Sequence, residues 1–296
     1  MVLWFLELPV VRQNKTFKHI ERACHVLAEY FGDILVQKIK PAMVEKYQRQ
    51  RLQGITQLGR PRSSASVNRE ITVLKRMFNL AIRDELAERN PCWKIKMLPE
   101  NNVRDRILSA EELELLISHL PLHAALIVRF AYWTGMRAGE IFNLTWDKVS
   151  LKEKAIKLKG VDTKTLEPRV IFLNQELLAI LDKAGQVRSI EHTRVFTYKG
   201  RPIASIKTCL GRACRKAGID NFRFHDLRHT FNTNMRKAGV APSVIMKMTG
   251  HKTAAMFNRY NTVDFGDAQE AYRKLQEFLG QEEQLGNSGK SRAGTK

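Results

Sequence analysis

Two residues in the stretch 222–231 have the types and the spacing to handle a phosphate group. His225 and Arg228 are three positions apart, so on a helix they project from one face and can meet a single phosphate. A guanidinium offers paired donors in a fixed geometry and stays charged at any working pH, which suits an anion. We therefore expect Arg228 to clamp phosphate and His225 to move protons. An ordinary amphipathic helix with a surface histidine and arginine would show the same spacing.

A second arginine lies in a context that should hold it rigidly. Arg137 follows a glycine turn at Gly135 that closes an apolar helix, and it precedes the start of a short new helix. An arginine held by such a rigid frame is well positioned to act on a partner. The same stretch, residues 134–140, could instead be a helix-turn-helix packing motif in which Arg137 points outward and Glu140 is structural.

Three more residues could take part in chemistry, although each has an ordinary interpretation. Lys164 lies between two predicted strands, where a lysine usually only adds solubility. His251 follows Gly250, and Tyr260 comes shortly after it, where a half-buried aromatic would be unremarkable. The conjunction of two arginines, two histidines, a lysine and a tyrosine in these contexts is nevertheless hard to attribute to chance.

The elements that must carry these residues are mostly helices. Residues 109–112 have the pattern of a capping box, and residues 124–134 are apolar nearly all round, as in a buried helix. Alternation in residues 155–158 and 169–173 predicts two paired strands around the connection that contains Lys164. Helical patterns then dominate as far as residue 280.

The first hundred residues show helical patterns without a strand. Apolar residues form one stripe from Thr16 to Gly32, Pro41 suits the first turn of a second helix, and a long helix should begin near Ser66. Lysines and arginines lie on the polar faces, which fits either contact with a polyanion or a solvated surface.

Breaks in these patterns define the predicted domains. We assign residues 1–98 to a helical domain, 99–106 to a linker, 107–280 to a second domain of mixed structure, and 281–296 to a flexible tail rich in Gly, Ser and Lys. The fold class is thus mainly α with a small β-sheet.

Charge is the most informative feature of the composition. Fifty Lys and Arg against 30 Asp and Glu give a net charge of +20, and nucleic acid is the commonest partner of such a surface. A basic but uncommitted surface is the alternative. We expect no membrane partner, because the apolar opening, residues 1–6, is too short to span a bilayer. Four cysteines without a CxxC pair suggest neither zinc nor disulfides and fit a reducing cytoplasm.

These residues together make the sequence similar to the tyrosine recombinases of the phage integrase family, over essentially residues 10–280. The first arginine of the family lies in a TGxRxxE context, its lysine in a strand hairpin, and its second arginine in HxxR. The resemblance implies six catalytic residues: Arg137, Lys164, His225, Arg228, His251 and Tyr260. Residues 67–70 and 90–91 make the helical part similar to the family's SAM-like core-binding domain, followed by an α+β catalytic domain.

The resemblance implies a site-specific recombinase that breaks and rejoins double-stranded DNA without hydrolysis, metal, cofactor or ATP. Tyr260 would attack a backbone phosphorus, forming a 3′-phosphotyrosyl bond and releasing a 5′-hydroxyl. A phenol with a pKa of about 10 needs help near neutrality, so His225 would serve as general base. Arg137 and Arg228 would offset charge in the transition state. Lys164 would protonate the leaving oxygen, and His251 would hydrogen-bond a phosphate oxygen.

The resemblance further implies a C-shaped clamp around the duplex, a homotetramer on two DNA sites, and a nucleoid-associated location in the cytoplasm. The apolar stripe in residues 265–279 could dock on a neighbouring subunit or pack within its own chain. Two departures stand out. The hairpin lacks the glycine that the family often has after Thr165, which leaves Lys157 and Lys159 as possible substitutes for Lys164. The second departure is that we expect no arm-site domain before the helical one, so the chain could be either a trimmed longer integrase or a simpler recombinase.

Two other functions compete. A type IB topoisomerase would use Tyr260 to relax supercoils without a partner site, although the integrase-like helical domain argues against it. A non-catalytic architectural DNA-binding protein could use the same fold. Retention of Tyr260 and of both arginines argues against that function, since binding alone needs no phenol beside a phosphate.

Overall fold

The computed structural model describes residues 1–56, 59–100, 104, 106–163, 166–188, 191–258, 266, 268–269, 271–277 and 279–280. Lys164, Tyr260 and the predicted tail 281–296 lie outside the described residues. The chain separates into two compact units, Met1–Asn102 and Val103–Lys296. Its class is the predicted one, mainly α with small β-sheets.

The first unit is helical, and apolar stripes from three long helices form its core. Its helices are α1 (Val2–Glu7), α2 (Pro9–Arg12), α3 (Phe17–Phe31), α4 (Pro41–Gln53) and α5 (Ser64–Arg83). Leu27 of α3, Tyr47 of α4 and Phe78 of α5 are almost fully buried in one cluster. The predicted starts of α3 and α4 are confirmed, whereas α5 begins at Ser64 because Ser63 caps it.

The second unit combines helices with short antiparallel strands. Its helices are α6 (Ala110–Ser118), α7 (Leu122–Thr134), α8 (Ala138–Phe142), α9 (Gln175–Gln186), α10 (Lys207–Lys216), α11 (Asp226–Lys237), α12 (Pro242–Thr249) and α13 (Ala254–Asn258). Its strands are β1 (Val149–Ser150), β2 (Ala155–Leu158), β3 (Arg169–Phe172), β4 (Thr197–Tyr198) and β5 (Arg201–Pro202).

Local sequence explains how several of these elements begin and end. Ser109 and Glu112 form the predicted capping box at the start of α6. Helix α7 is buried along most of its length, as its apolar sequence predicts, and ends at a left-handed Gly135. Strands β2 and β3 pair antiparallel with Ile156 opposite Ile171, so the inward faces of both strands join the core.

The shortest elements escaped prediction. Helices α1 and α2 and strands β1, β4 and β5 span too few residues for a periodic pattern to show. The apolar start of the chain is instead explained by α1, in which Phe5 is completely buried. Within the described ranges, no helix combines the length and the apolar character that a membrane crossing requires.

Candidate active site

Two arginines that lie far apart in the sequence meet at one turn of the chain. Arg228 Nη2 donates to the carbonyl oxygen of Thr249 at 2.7 Å and contacts His251 Nε2 at 3.0 Å. Arg137 Nη2 donates to the next carbonyl oxygen, that of Gly250, at 3.1 Å. The turn that ends α12 therefore holds both guanidinium groups beside the His251 ring.

The end of α7 gives this arrangement a second anchor point. The carbonyl oxygen of Gly135 accepts a hydrogen bond from Arg228 Nη1 at 2.8 Å. Gly135 has φ +59, and a Cβ atom there would lie 2.4 Å from Cδ1 of Phe231. Only glycine tolerates both the left-handed conformation and this close approach. The turn then places Arg137 at the N-cap of α8.

Glu140, which α8 buries in its first turn, pairs with two arginines at once. It accepts from the backbone nitrogen and Nη1 of Arg137 at 2.9 and 3.2 Å, and from Nη1 and Nη2 of Arg169 at 3.2 and 2.5 Å. Burial works to raise the pKa of Glu140, but hydrogen bonds and charge from Arg169 and then Arg137 outweigh it, and the net pKa is lowered. Glu140 is thus a carboxylate.

Arg169 is a residue of the site that was not among the predicted ones. The side chain is 4% exposed on the inward side of β3, the side that also carries buried Ile171. The alternation that predicts β3 places Arg169 and Ile171 on the same face, and a charged residue in register with core residues signals a buried ion pair. That signal was present in the sequence.

The hydrogen bonds of His251 determine which ring nitrogen carries the proton. The hydroxyl of Thr249 donates its single hydrogen to the carbonyl oxygen of Ile245 at 2.6 Å, so it must accept from His251 Nδ1 at 2.8 Å. Nε2 is then the bare nitrogen that accepts from Arg228. A single tautomer therefore satisfies these contacts.

A buried carboxylate organises the start of α11. Asp226 is 1% exposed and accepts from Nε and Nη2 of Arg104 at 3.1 and 2.7 Å. It also accepts from the backbone nitrogen of Arg223 at 2.8 Å, while Arg104 Nη2 donates to the carbonyl oxygen of Asn221 at 2.6 Å. These bonds fix the loop that leads into the HxxR pair.

The two members of that pair occupy different environments. His225 is the exposed N-cap residue of α11, and its ring contacts that of His229 edge to face at 6.1 Å. Arg228 is only 2% exposed. The spacing of one turn is as expected, but Arg228 forms the floor of the site and His225 lies at its surface.

The hairpin that should present Lys164 is described on both sides of that residue. Thr163 is buried, and its hydroxyl lies 3.1 Å from the carbonyl oxygen of Gly160 and 3.0 Å from that of Glu167. Leu166 takes the left-handed conformation, φ +59, near the position where the family often has glycine. Lys164 and Tyr260 themselves lie outside the described residues.

Two buried histidines should make the second unit sensitive to acid. Burial, reinforced by nearby positive charge, lowers the pKa of His251 from 6.5 to about 3 and that of His229 from 6.5 to about 4. Below pH 6.5 the unfolded chain therefore binds protons that the folded chain does not, and stability falls as the pH falls. At about 1.4 kcal/mol per histidine per pH unit, Tm should drop by roughly 5–10 °C from pH 7 to pH 5.

Scanning calorimetry of two variants would check this prediction. His229→Gln should remove about half of the decrease in Tm, because one of two linked histidines is gone. The matched control is His19→Gln, a change at an exposed position of the first unit that keeps both His229 and His251, so the decrease in Tm should persist. If Tm of His229→Gln fell as much as that of wild type, the acid sensitivity could not be attributed to His229.

The described part of the site can bind a tetrahedral anion. The cluster has an excess of positive charge. Three positive charges, on Arg137, Arg169 and Arg228, face a single negative charge on Glu140, while His251 is neutral. Guanidinium groups form paired, charge-assisted bonds to such anions. Among the described side chains, no group of three or more His, Cys, Asp or Glu is placed to hold a metal ion.

Comparisons with known proteins agree with this geometry. Residues 97–266 match the family model "Phage integrase family", and residues 7–96 match the "Phage integrase SAM-like domain". The integrase of Salmonella phage P22 is 27% identical over 251 residues, which cover 80% of this chain and 64% of that protein. Tyrosine recombinase XerA of Pyrococcus furiosus is 29% identical over 74% of this chain and 78% of its own length.

Solved structures show the same fold at lower sequence identity. The Tn1549 transposon integrase, in complex with a circular intermediate DNA, superposes with a TM-score of 0.75 at 18% identity and covers 93% of this chain and 99% of that one. A lambda integrase dimer bound to a core site gives 0.74 at 17% identity, over 89% of this chain and 98% of that one.

Proposed function

Because the chain belongs to the phage integrase family, we propose that it is a site-specific recombinase that cuts and rejoins double-stranded DNA through Tyr260. The observation that carries the proposal is the meeting of Arg137 and Arg228 at the consecutive carbonyl oxygens of Gly250 and Thr249. This arrangement presents two fixed guanidinium groups to a single phosphate, beside the chain segment that leads to the tyrosine.

The roles of the residues follow from their chemistry. The phenolic oxygen of Tyr260 attacks phosphorus and forms the new bond, the bond between phosphorus and the 5′ oxygen breaks, and the phosphate stays attached to the 3′ oxygen of the cut strand. Exposed His225 accepts the phenolic proton, and the two arginines stabilise the additional charge of the pentacoordinate transition state. The phosphotyrosyl bond retains the energy of the phosphodiester, so another 5′-hydroxyl can reverse the step.

The same geometry limits what His251 can do. While Nε2 accepts from Arg228, it cannot also donate to a phosphate oxygen. A donating role for His251 therefore requires phosphate to replace Nε2 as the partner of Arg228 and the ring proton to move to Nε2. Thr249 can follow such a change if its hydroxyl releases the carbonyl oxygen of Ile245 and donates its single hydrogen to Nδ1 instead.

Double-stranded DNA with recombination sites is the proposed partner, in the cytoplasm at the nucleoid. A net charge of +20 supports binding to a polyanion. We further propose a homotetramer on two sites. The tetramer is supported by the C-terminal apolar stripe. Tyr272 and Leu275 of this stripe are 75% and 51% exposed, so their side chains are accessible to another subunit. Phe278 of this stripe lies outside the described residues.

Incubation with a nicked suicide duplex that carries the candidate attachment site tests the proposal. Cleavage releases a short 5′-hydroxyl fragment that diffuses away, so the covalent protein–DNA adduct accumulates and can be seen on a denaturing gel. A second assay with two labelled sites then measures strand exchange. Recombinant product is expected from two sites but not from one.

The outcomes separate the competing functions. Adduct and recombinant product support the recombinase. Adduct and relaxed plasmid without exchange between sites would indicate a type IB topoisomerase. Salt-sensitive binding without any adduct would indicate an architectural protein and would overturn the proposal.

A sulfur-substituted substrate tests Lys164 as general acid. Lys164→Ala should cut a normal duplex about 10²–10⁴-fold more slowly, the usual value of a general acid. A duplex with sulfur in place of the 5′-bridging oxygen should be cut at close to the wild-type rate, because a thiolate leaves without protonation. Single-turnover rates on the two duplexes measure the difference.

Lys157→Ala and Lys159→Ala are the matched comparisons. Lys157 is an exposed outward residue of β2 whose ammonium group pairs with Glu153 at 2.5 Å, which turns it away from the inward face. Neither variant should show a sulfur-dependent rescue. If either one is rescued and Lys164→Ala is not, the general acid is reassigned to that residue.

A further inference from the structure

Arg169 lies beneath the site, and neither of its contacts is explained by the six residues that the family resemblance implies. Its guanidinium forms a two-pronged bond to Glu140, with Nη1 to Oε1 at 3.2 Å and Nη2 to Oε2 at 2.5 Å. A Cβ atom at Gly250 would lie 3.1 Å from Arg169 Nη1 and 3.7 Å from Arg137 Nη1. Arg169 thus adjoins both the carboxylate and the turn that hold Arg137.

A contribution to folding stability does not explain why Arg169 and Glu140 form a buried ion pair. Ion pairs this deeply buried are often no better for stability than apolar residues of similar volume, because both charges must be desolvated. Arg169 Nε is buried without a hydrogen-bond partner among the described residues, which adds a further cost. An arrangement that costs stability beside an anion-binding site points to a role at that site.

Charge balance indicates what that role is. Arg137, Arg169 and Glu140 together carry one net positive charge. Arg169 occupies both carboxylate oxygens of Glu140, so the guanidinium of Arg137 reaches only Oε1, through Nη1. Without Arg169, both oxygens would be available to Arg137, which would form the two-pronged pair itself. Its charge would then be cancelled, and its donors would turn away from a phosphate.

We propose that Arg169 is a positioning residue that takes up the charge of Glu140, so that Arg137 keeps its own charge and donors for the DNA phosphate. The inference rests on the proposed function. Arg169 itself does not touch the DNA. It acts through Glu140, and its effect should therefore depend on whether Glu140 is charged.

A double-mutant comparison tests this dependence. Arg169→Met should lower the single-turnover cleavage rate at saturating DNA by about 10²-fold, the usual effect of losing one donor to a transition-state oxyanion. Adding Glu140→Gln removes the carboxylate that captures Arg137, and the double variant should recover at least about tenfold. Arg169→Lys, which keeps the charge but not the fork, should lie between wild type and Arg169→Met.

A merely structural ion pair predicts no recovery of the cleavage rate per folded molecule in the double variant. Both variants lose the Arg169–Glu140 contact, so a double variant that cleaves no faster than Arg169→Met would overturn the proposal, as would wild-type cleavage by Arg169→Met. If Arg169→Met does not fold, the lysine and double variants carry the comparison. The charge-matched control is Arg129→Met with and without Glu114→Gln, a surface pair whose loss should change the rate by less than about twofold.

DNA binding provides a readout that does not depend on cleavage. Withdrawal of Arg137 from a phosphate should reduce the slope of log Kd against log salt by about one in Arg169→Met, and the double variant should restore it. Absence of an adduct with wild type would reject the proposed function, and these slopes would still decide the role of Arg169. Equal slopes in the single and double variants would overturn the role proposed for Arg169.

Discussion

Replacing Tyr260 by phenylalanine should abolish the covalent protein–DNA adduct while DNA affinity stays within about threefold of wild type. The substitution removes only the attacking oxygen, and loss of a nucleophile typically costs about 10⁴-fold or more. Denaturing gels of the suicide-duplex reaction measure the adduct, and a filter-binding titration in the same buffer measures affinity. Loss of the adduct with unchanged affinity would show that the substitution removes the cleavage step and not DNA binding.

The size of this effect follows from the surroundings of the phosphate. The guanidinium groups of Arg137 and Arg228 are not nucleophiles, and Nε2 of His251 is already bonded to Arg228. In the proposed mechanism, positive charge on Arg137 and Arg228 would lower the pKa of the phenol, ordinarily about 10, and would stabilise the transition state. Neither benefit is expressed unless an oxygen is present to attack.

Tyr272 provides the matched control. It is 75% exposed in the same C-terminal region, and Tyr272→Phe should leave both the adduct and the affinity at wild-type levels. Peptide mapping of the wild-type adduct should recover the DNA on the peptide that contains Tyr260. An adduct that persists in Tyr260→Phe but disappears in Tyr272→Phe would reassign the nucleophile.

The sequence shows which residue types could act in the site, but it does not show that these residues lie close together in the fold. The fold class and the long helices α3, α4 and α7 follow from apolar periodicity and end signals that act locally. The contact between Arg137 and Gly250 spans 113 positions. It depends on how α7, α8, α11 and α12 pack, which no local pattern encodes.

Arg169 and Thr249 show the same limit at the level of single residues. An arginine in a strand and a threonine at a helix end are ordinary in sequence, and their importance appears only through Glu140 and His251. The inward register of Arg169 was available from the alternation of β3. Its partner was not, because a carboxylate 29 positions away cannot be paired with it by spacing alone.

Replacing Arg228 by lysine should lower the cleavage rate by about 10³-fold, although the positive charge is kept. The guanidinium bonds at once to the carbonyl oxygen of Gly135 at 2.8 Å, that of Thr249 at 2.7 Å and His251 Nε2 at 3.0 Å. A single ammonium group cannot reach all three acceptors in one plane and also face a phosphate. Single-turnover cleavage of the suicide duplex at saturating DNA measures the loss.

The expected loss must be distinguished from a loss of folding, because Arg228 is 2% exposed and each buried carbonyl left without a donor costs about 1–3 kcal/mol. Rates are therefore compared well below the Tm of Arg228→Lys. Arg223→Lys, an exposed change in the loop just before α11, is the control and should cleave within about threefold of wild type. If Arg228→Lys, once folded, cleaved within tenfold of wild type, charge alone would be sufficient at this position. The fixed three-way geometry would then have no catalytic role.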